Sequence, residues 1–527
     1  MPRFLRNLVR VLLVLFLAGA GLVFLAPKYY KPRLRDQMVF FLEKRFNAEA
    51  HLDDVTISLY PEIHITGGRL ALRYRGAEEL PPLISVDQFS ADAPLSALFE
   101  RQVEITGLSL VNLQITIPPD RSKPGNLAQA APNRAESGSG QRSAGEVDFQ
   151  VDRIVADGAT LTILPKNPDK DPLIFELRKL SVYSLARDQP LGFVTLLRNA
   201  MPPGWIDSRG QFGPWNSVDP GRTPVRGEYV FRDADLSVFK GISGKLASTG
   251  KYHGVLQRIE VNGTTDTPDF AVRTGKHPMH LAVEFSSVVD GTNGDTLLQP
   301  VRAVLGDRTL FVCSGGVYKK NGQKGKTVEL DVNMEHGRIE DLLQLVVPGE
   351  PALAGLIQFR SQFELPPGDR DVLDKLKLQG SFHVAKAEFT SPTVQERIEQ
   401  LSRRSRGKHE EDPNERIVSE MRGVFALGNS RAAFSSLSFF VPGAQVRLAG
   451  LYNLSTESID FHGTLTMDAK LSQTQKGIKS ILLKVADPFF RKNGKTVLPI
   501  KVQGTANKVE FGLDFGRDDR KSKKKSP

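Results

Sequence analysis

Residues 103–117 read VEITGLSLVNLQITI. Val103 and Ile105, Leu108 and Leu110, and Leu113, Ile115 and Ile117 alternate there with polar residues. Period-two alternation sends successive side chains to opposite faces of a strand, one apolar and one polar. The same signal surrounds the stretch. Val55-Thr-Ile57-Ser-Leu59 alternates, and Ile63-His-Ile65 does so before a turn expected at Gly67-Gly68. Leu70-Ala-Leu72 and Ile84-Ser-Val86 continue it, and Gly107 is expected to turn Val103–Ile105 into Leu108–Leu110.

Farther along an echo appears. Ile154, Ala156, Gly158, Leu161 and Ile163 repeat the spacing of Leu108, Leu110, Asn112, Ile115 and Ile117, and Ile259-Glu-Val261-Asn-Gly263 begins the same way. Repetition of this kind predicts a sheet that grows by adding similar hairpins. Short alternating runs follow at Phe270–Val272, Leu281–Phe285, Val328–Val332, Leu437–Phe439, Val446–Leu448, Leu498–Val502 and Val509–Phe515.

Helical spacing is confined to a few places. Leu34, Met38, Phe41, Leu42 and Phe46 share one face of a helix expected over Lys28–Ala50. Glu340–Val347 ends at Pro348-Gly349. Thr393–Arg406 carries Val394, Ile398 and Leu401 on one side, and Gly477–Phe490 is a further amphipathic candidate.

The N-terminus has a different character. Val11–Ala26 contains no charge, and with Leu8 and Val9 it is long enough for a short membrane span. A cleaved signal peptide is the alternative, since Ala18-Gly-Ala20 resembles a cleavage site, but apolar residues continue beyond it and Pro27 blocks a later cut. Arginines and lysines flank both sides, so the positive-inside rule gives no orientation; a very short leader before a large body favours export. The expected organisation is an anchor at 1–27, an α/β unit at 28–118, a linker at 119–146, a repetitive β body at 147–390, a β region with helices at 391–515 and a basic tail at 516–527. The linker holds Leu127 as its one large aliphatic residue and cannot build a core.

Composition narrows the chemistry. The chain has 527 residues, a formal net charge of +10 and one cysteine, Cys313, so an intramolecular disulfide or a multi-cysteine metal site is excluded. No nucleic-acid-binding module is recognisable, and anionic lipid headgroups account for the charge at least as well as nucleic acid. Both Gly-Lys-Thr tripeptides fail as phosphate loops, having Lys320 and Phe489 where a glycine is required; they read as hairpin turns. His277 and His280 flank Pro278 with no carboxylate cluster beside them, and Asp290–Asp295 reads as a turn rather than a calcium loop. No nucleophile elbow or carboxylate pair stands out. The expectation is no enzyme, no cofactor and no metal.

Taken in order, these features resemble the AsmA-like proteins of the diderm bacterial envelope. One anchor helix and an amphipathic helix precede VTISLYP (55–61), which is similar to that family's opening strand. VEITGLSL (103–110) resembles its next step. LPIKVQG (498–504) and VEFGLD (509–514) resemble its C-terminal signature, with Val509 where proline is common. GQFGPW (210–215) through TTDTPDF (264–270) resembles a subgroup.

The resemblance implies a single-pass inner-membrane protein with its body in the periplasm. It also implies an elongated, mainly β sheet, curled like a taco around an apolar groove and beginning with a chorein-like unit. The partners implied are phospholipid, moved toward the outer membrane, or envelope proteins whose assembly the chain regulates. The residues expected to line the groove are Ile57, Leu59, Ile63, Ile65, Val103, Ile105, Leu108, Leu110, Ile115 and Ile117. Alternation alone leaves a two-layer sandwich or closed barrel open. Three functions follow: lipid binding and transfer, a non-enzymatic regulator of outer-membrane assembly, or a periplasmic hydrolase or sugar-binding protein.

Overall fold

The computed structural model describes residues 48–58, 62–74, 80–94, 102–118, 148–165, 171–185, 189–407 (apart from 217, 276 and 348), 419–474 and 490–514 (apart from 506–507), with helical positions within 35–43. The expected anchor, linker, basic tail and segment 477–489 lie outside the described residues, as does Leu59. Among the described residues, no helix is long and apolar enough to cross a membrane. The protein is mainly β, a curled sheet with few helices. Its contacts group into two compact units, residues 1–234, 247–263 and 287–296 in one and 235–246, 264–286 and 297–527 in the other.

The first unit is built from β1 (Ala48–Leu52), β2 (Val55–Ser58), β3 (Ile63–Tyr74), β4 (Ile84–Ala93), β5 (Gln102–Ile105), β6 (Gly107–Ile117), β7 (Asp148–Ile163), β8 (Leu173–Leu185), β9 (Leu191–Ala200), β10 (Pro203–Phe212) and β11 (Pro224–Asp235). β1 and β2 both pair with β3, then β3 with β4 and β4 with β6, all antiparallel. β6 and β7 run parallel, and β7 through β11 form an antiparallel meander.

Two expected turns are corrected. Gly67 and Gly68 lie inside the continuous strand β3. A Cβ on Gly67 would stand 2.2 Å from the Phe89 ring, so the glycine makes room for a cross-strand aromatic instead of reversing the chain. At Gly107 there is a kink, because β5 and β6 both pair in parallel with the same neighbour, β7. The echo is likewise not a pair of hairpins. Leu108, Leu110, Ile115 and Ile117 stand in parallel register opposite Ile154, Ala156, Leu161 and Ile163, so the two repeats lie side by side. Parallel neighbours need a crossover connection, which here contains residues 119–146.

Midway along these strands the alternation breaks in concert. Buried Leu110 and Leu113 are separated by exposed Val111 and Asn112; Ala156 and Ala159 by Asp157 and Gly158; Val86 and Phe89 by Asp87 and Gln88; Leu177 and Leu180 by Arg178 and Lys179. Between β1 and β2, Asp53 and Asp54 likewise separate buried Leu52 from buried Val55. By register these interruptions form one transverse row, in which Asn112 (φ 54°) faces Gly158 (φ 70°). Asn112 hydrogen-bonds Asp87 at 2.8 Å and Arg69 pairs with Asp53 at 3.0 Å. Each strand thus presents two consecutive residues to solvent and bends there, as a bulge does. The crease returns both halves of each strand to the same apolar face.

That face carries the core of the unit: Leu52, Val55, Val86, Phe89, Leu110, Leu113, Ala156, Ala159, Leu177 and Leu180, with Met38 and Val39 of the N-terminal helical positions packed on it. At one end Leu256 packs on Ile117 and Ile163 with Phe212 and Trp215. β8 to β11 intervene between β7 and the 247–263 segment, so this contact requires the sheet to curl.

The chain continues through β12 (Ile242–Ser243), β13 (Lys245–Val255), β14 (Arg258–Val272), β15 (Met279–Val289) and β16 (Thr296–Leu305). The second unit then runs β17 (Thr309–Tyr318), β18 (Thr327–Arg338), α1 (Ile339–Val346), β19 (Leu353–Leu365), α2 (Val372–Lys375), β20 (Lys377–Phe389), α3 (Pro392–Ser405), β21 (Glu420–Gly428), β22 (Arg431–Val441), β23 (Ala444–Asn453), β24 (Ser458–Met467), β25 (Arg491–Lys492), β26 (Lys495–Thr505) and β27 (Lys508–Leu513). From β17 to β24 each strand pairs antiparallel with the next; β24 pairs with β26, and β26 with β27. Asn493-Gly494, both at positive φ, makes the β25–β26 turn, as the failed phosphate-loop reading implied.

Both longer helices match the expected segments. α1 opens on Glu340 and Asp341, which suit a helix N-terminus, and lays Ile339, Leu342 and Leu343 against Met334, Ile357 and Val384. α3 starts at Pro392, ends with Arg403 and Arg404, and packs Ile398 and Leu401 against Phe439, Val441 and Met467.

Candidate functional site

The apolar face of the first unit collects most of the residues singled out in the sequence. Leu110 belongs to its core, and Ile57, Ile65, Leu108 and Ile115 pack against it half-buried. Ile63 is buried beside Ala93, with Ile57 and Ile65 against the pair, and Ile117 is buried with Ile163 and Leu256. Ile105 is half-buried, in register with buried Val151; Val103 lies in β5, and its side chain is outside what is described.

Sequence reasoning missed the polar part of this face. Ser208 of β10 hydrogen-bonds the Tyr252 hydroxyl at 2.8 Å, and the Tyr229 hydroxyl contacts Ser248 at 3.1 Å. Ser208 and Ser248 are buried. Burial pushes the phenols of Tyr229 and Tyr252 above their ordinary value, so both stay neutral at physiological pH. Small residues make the room: a Cβ on Gly227 would meet the Tyr252 hydroxyl at 2.6 Å, and one on Gly250 the Tyr229 ring at 2.7 Å. The signal was present in Val225-Arg-Gly227-Glu-Tyr229-Val-Phe231, which alternates, but hydroxyl pairing cannot be read from a single strand.

The second unit carries the more continuous apolar face. Cross-strand register places Phe359, Phe382, Phe425, Phe434 and Phe461, from five strands, on one side. Their rings are close: Phe359 to Phe425 is 5.8 Å between centroids, Phe425 to Phe434 6.3 Å and Phe434 to Phe461 5.6 Å. Such spacing suits offset and edge-on aromatic packing. Gly423 leaves the space that the Phe382 ring fills, since a Cβ there would lie 2.4 Å from it. Phe359 and Phe382 pack, as α1 does, against the cluster around Met334, Ile357 and Val384, whereas Phe425 and Phe434 fall in none of the buried clusters of the described residues and are half-buried beside half-buried Leu437 and Leu448.

Cys313 is on this same face, opposite Val332, half-buried, with its thiol pushed up by burial. A thiol held protonated in an apolar setting is a poor nucleophile.

The opposite face is charged and largely self-paired. Lys320 bridges Glu329 and Glu364, and Glu364 also meets Lys377 at 3.1 Å. His64 pairs with Asp92 at 2.6 Å and His462 with Asp514 at 2.7 Å. Among the described residues, no group of three His, Cys, Asp or Glu side chains is placed to hold a metal ion. Comparison with family models, curated proteins and solved structures gave no match.

Proposed function

We propose that the protein is a membrane-anchored envelope protein that binds phospholipid on the apolar face of its sheet and transfers it, by non-catalytic means, between inner and outer membrane. The resemblance to AsmA-like proteins supplies the setting. The observation that carries the reading is the incompletely buried phenylalanine row of the second unit, Phe425 and Phe434 at its centre.

A sheet with one apolar face needs a cover. Soluble monomers seldom leave contiguous apolar patches larger than a few hundred Å² in water. In the first unit, helical positions and the Leu256 turn cover part of the face. In the second, α1 and α3 pack against clusters that do not include Phe425 and Phe434, which are only half-buried. Acyl chains suit such a surface, because they are flexible and each buried methylene contributes about 0.8 kcal/mol. The face offers few fixed polar contacts, which favours sliding over tight capture of one headgroup.

The test is mass spectrometry of lipid retained by the purified protein after detergent-free washing. Near-stoichiometric phospholipid is expected, lost on Phe425→Asp with Phe434→Asp while circular dichroism still reports a β fold. A folded protein that retains no lipid would leave the face as ordinary core and favour a role in regulating outer-membrane assembly.

A further inference from the structure

We propose that β27 is a docking edge for a second copy of this chain, the two strands pairing antiparallel about a twofold axis at Phe511.

Among the described residues, β27 pairs only with β26. Asp514 donates its backbone N–H to the Pro499 carbonyl at 3.0 Å. In an antiparallel ladder alternate residues turn their backbone groups toward a given neighbour. Even-numbered residues of β27 therefore bond β26, while Val509, Phe511 and Leu513 turn N–H and C=O outward. Their side chains lie on the apolar face, opposite Gly504, Val502 and Ile500. They are 37%, 72% and 45% exposed.

The first unit treats its own edge differently. On β1, Glu43 accepts from the Ala50 N–H at 3.2 Å and Arg35 donates to the Leu52 carbonyl at 3.0 Å. Side chains occupy that edge, a common way to prevent strand addition.

The sequence of β27 is complementary to itself in one antiparallel register. With Phe511 opposite its symmetry mate, Val509 meets Leu513 of the second copy, and the outward backbone groups of all three fall into hydrogen-bonded pairs. On the solvent face Lys508 then stands opposite Asp514 of the second copy, and Glu510 opposite Gly512. An isologous interface requires this self-complementarity. The chain beyond Asp514 carries Arg517, Arg520 and four further lysines to Lys525. Antiparallel pairing makes the two tails leave about 20 Å apart at ordinary strand rise, about two Debye lengths at physiological salt. The proposal does not depend on lipid occupying the face.

One strand pair is a small interface, so covalent trapping reads it best. Glu510 and Gly512 of the other copy would form a non-hydrogen-bonded pair about 4.5 Å apart at Cα, within disulfide range. Two copies of Glu510 would sit about 7–8 Å apart diagonally. In a Cys313→Ser background, the full-length chain carrying Glu510→Cys and Gly512→Cys should become mostly disulfide-linked dimer on mild oxidation, and either substitution alone should not. Sedimentation of the full-length chain in detergent should show dimer lost on Phe511→Arg, while circular dichroism still reports a β fold. Absence of the cross-link in the double variant, or equal cross-linking in the single variants, would overturn the proposal. So would a monomeric chain whose binding to phosphatidylglycerol vesicles falls with Phe511→Arg, which would assign the edge to a bilayer.

Discussion

Asn112 occupies a left-handed backbone position within a strand, facing Gly158 in the same state on the neighbouring strand. Asparagine and glycine tolerate that region, whereas a β-branched residue there costs roughly 1–2 kcal/mol. Asn112→Val should therefore lower the denaturation midpoint of the first unit by an amount equivalent to ~1–2 kcal/mol. Asn112→Gly, which loses only the exposed hydrogen bond to Asp87, should cost much less. Equal effects in urea titrations would show that the crease does not depend on this conformation. Tyr252→Phe tests the buried hydroxyls at the same scale. Ser208 keeps its 3.0 Å bond to the Glu228 carbonyl, so about 1 kcal/mol should be lost. The crease was written in the sequence as pairs of outward residues, Val111-Asn112 and Asp157-Gly158. It was not legible as a crease, because the row exists only once register aligns six strands.

Among the elements, β27 carries the clearest pH dependence. His462 reaches across β26 to Asp514 just past the end of β27, and this hydrogen bond raises the imidazole above its ordinary value; Asp460, at 3.2 Å, adds to it. The folded state thus holds the proton more tightly than the unfolded state. The stabilisation is fully present below the ordinary imidazole value of ~6.5 and is lost as pH rises through the raised folded value. Hydrogen exchange at Asp514, whose N–H bonds the Pro499 carbonyl, should be better protected at pH 6 than at pH 8 after correction for intrinsic rates. His462→Gln should remove the difference, and protection independent of pH in the parent would exclude the linkage. α3 offers a stability test: Leu401→Asp places a charge against Phe439 and Met467 and should destabilise the second unit by ~3 kcal/mol or more in chemical denaturation. Both longer helices were legible, α1 as an apolar segment closed by Pro348-Gly349 and α3 from the spacing of Ile398 and Leu401. The turns at Gly67-Gly68 and Gly107 were misread, because a glycine that accommodates a ring and a glycine at a kink look the same in one dimension as a glycine in a turn.

At the scale of the molecule, period-two alternation identified a mainly β chain, but β8 to β13 were not singled out and β1 overlaps the end of the helix expected over Lys28–Ala50. Alternation did not reveal which parts of the apolar face are covered. Leu110 and Ile117 are buried core, whereas Phe425 and Phe434, not singled out in the sequence, are the half-buried residues on which the lipid reading rests. Cover depends on helices and turns brought in from elsewhere in the chain, so strand alternation cannot encode it. Phe425 and Val424 are adjacent in sequence but face opposite sides of β21, and Val424 is 48% exposed on the charged side. The most direct test places a benzophenone amino acid at each position in turn, irradiates cells and analyses the protein for bound lipid. Phospholipid adducts at position 425 with none at 424 are predicted; equal labelling at both positions, or none at either, would contradict a lipid-binding face.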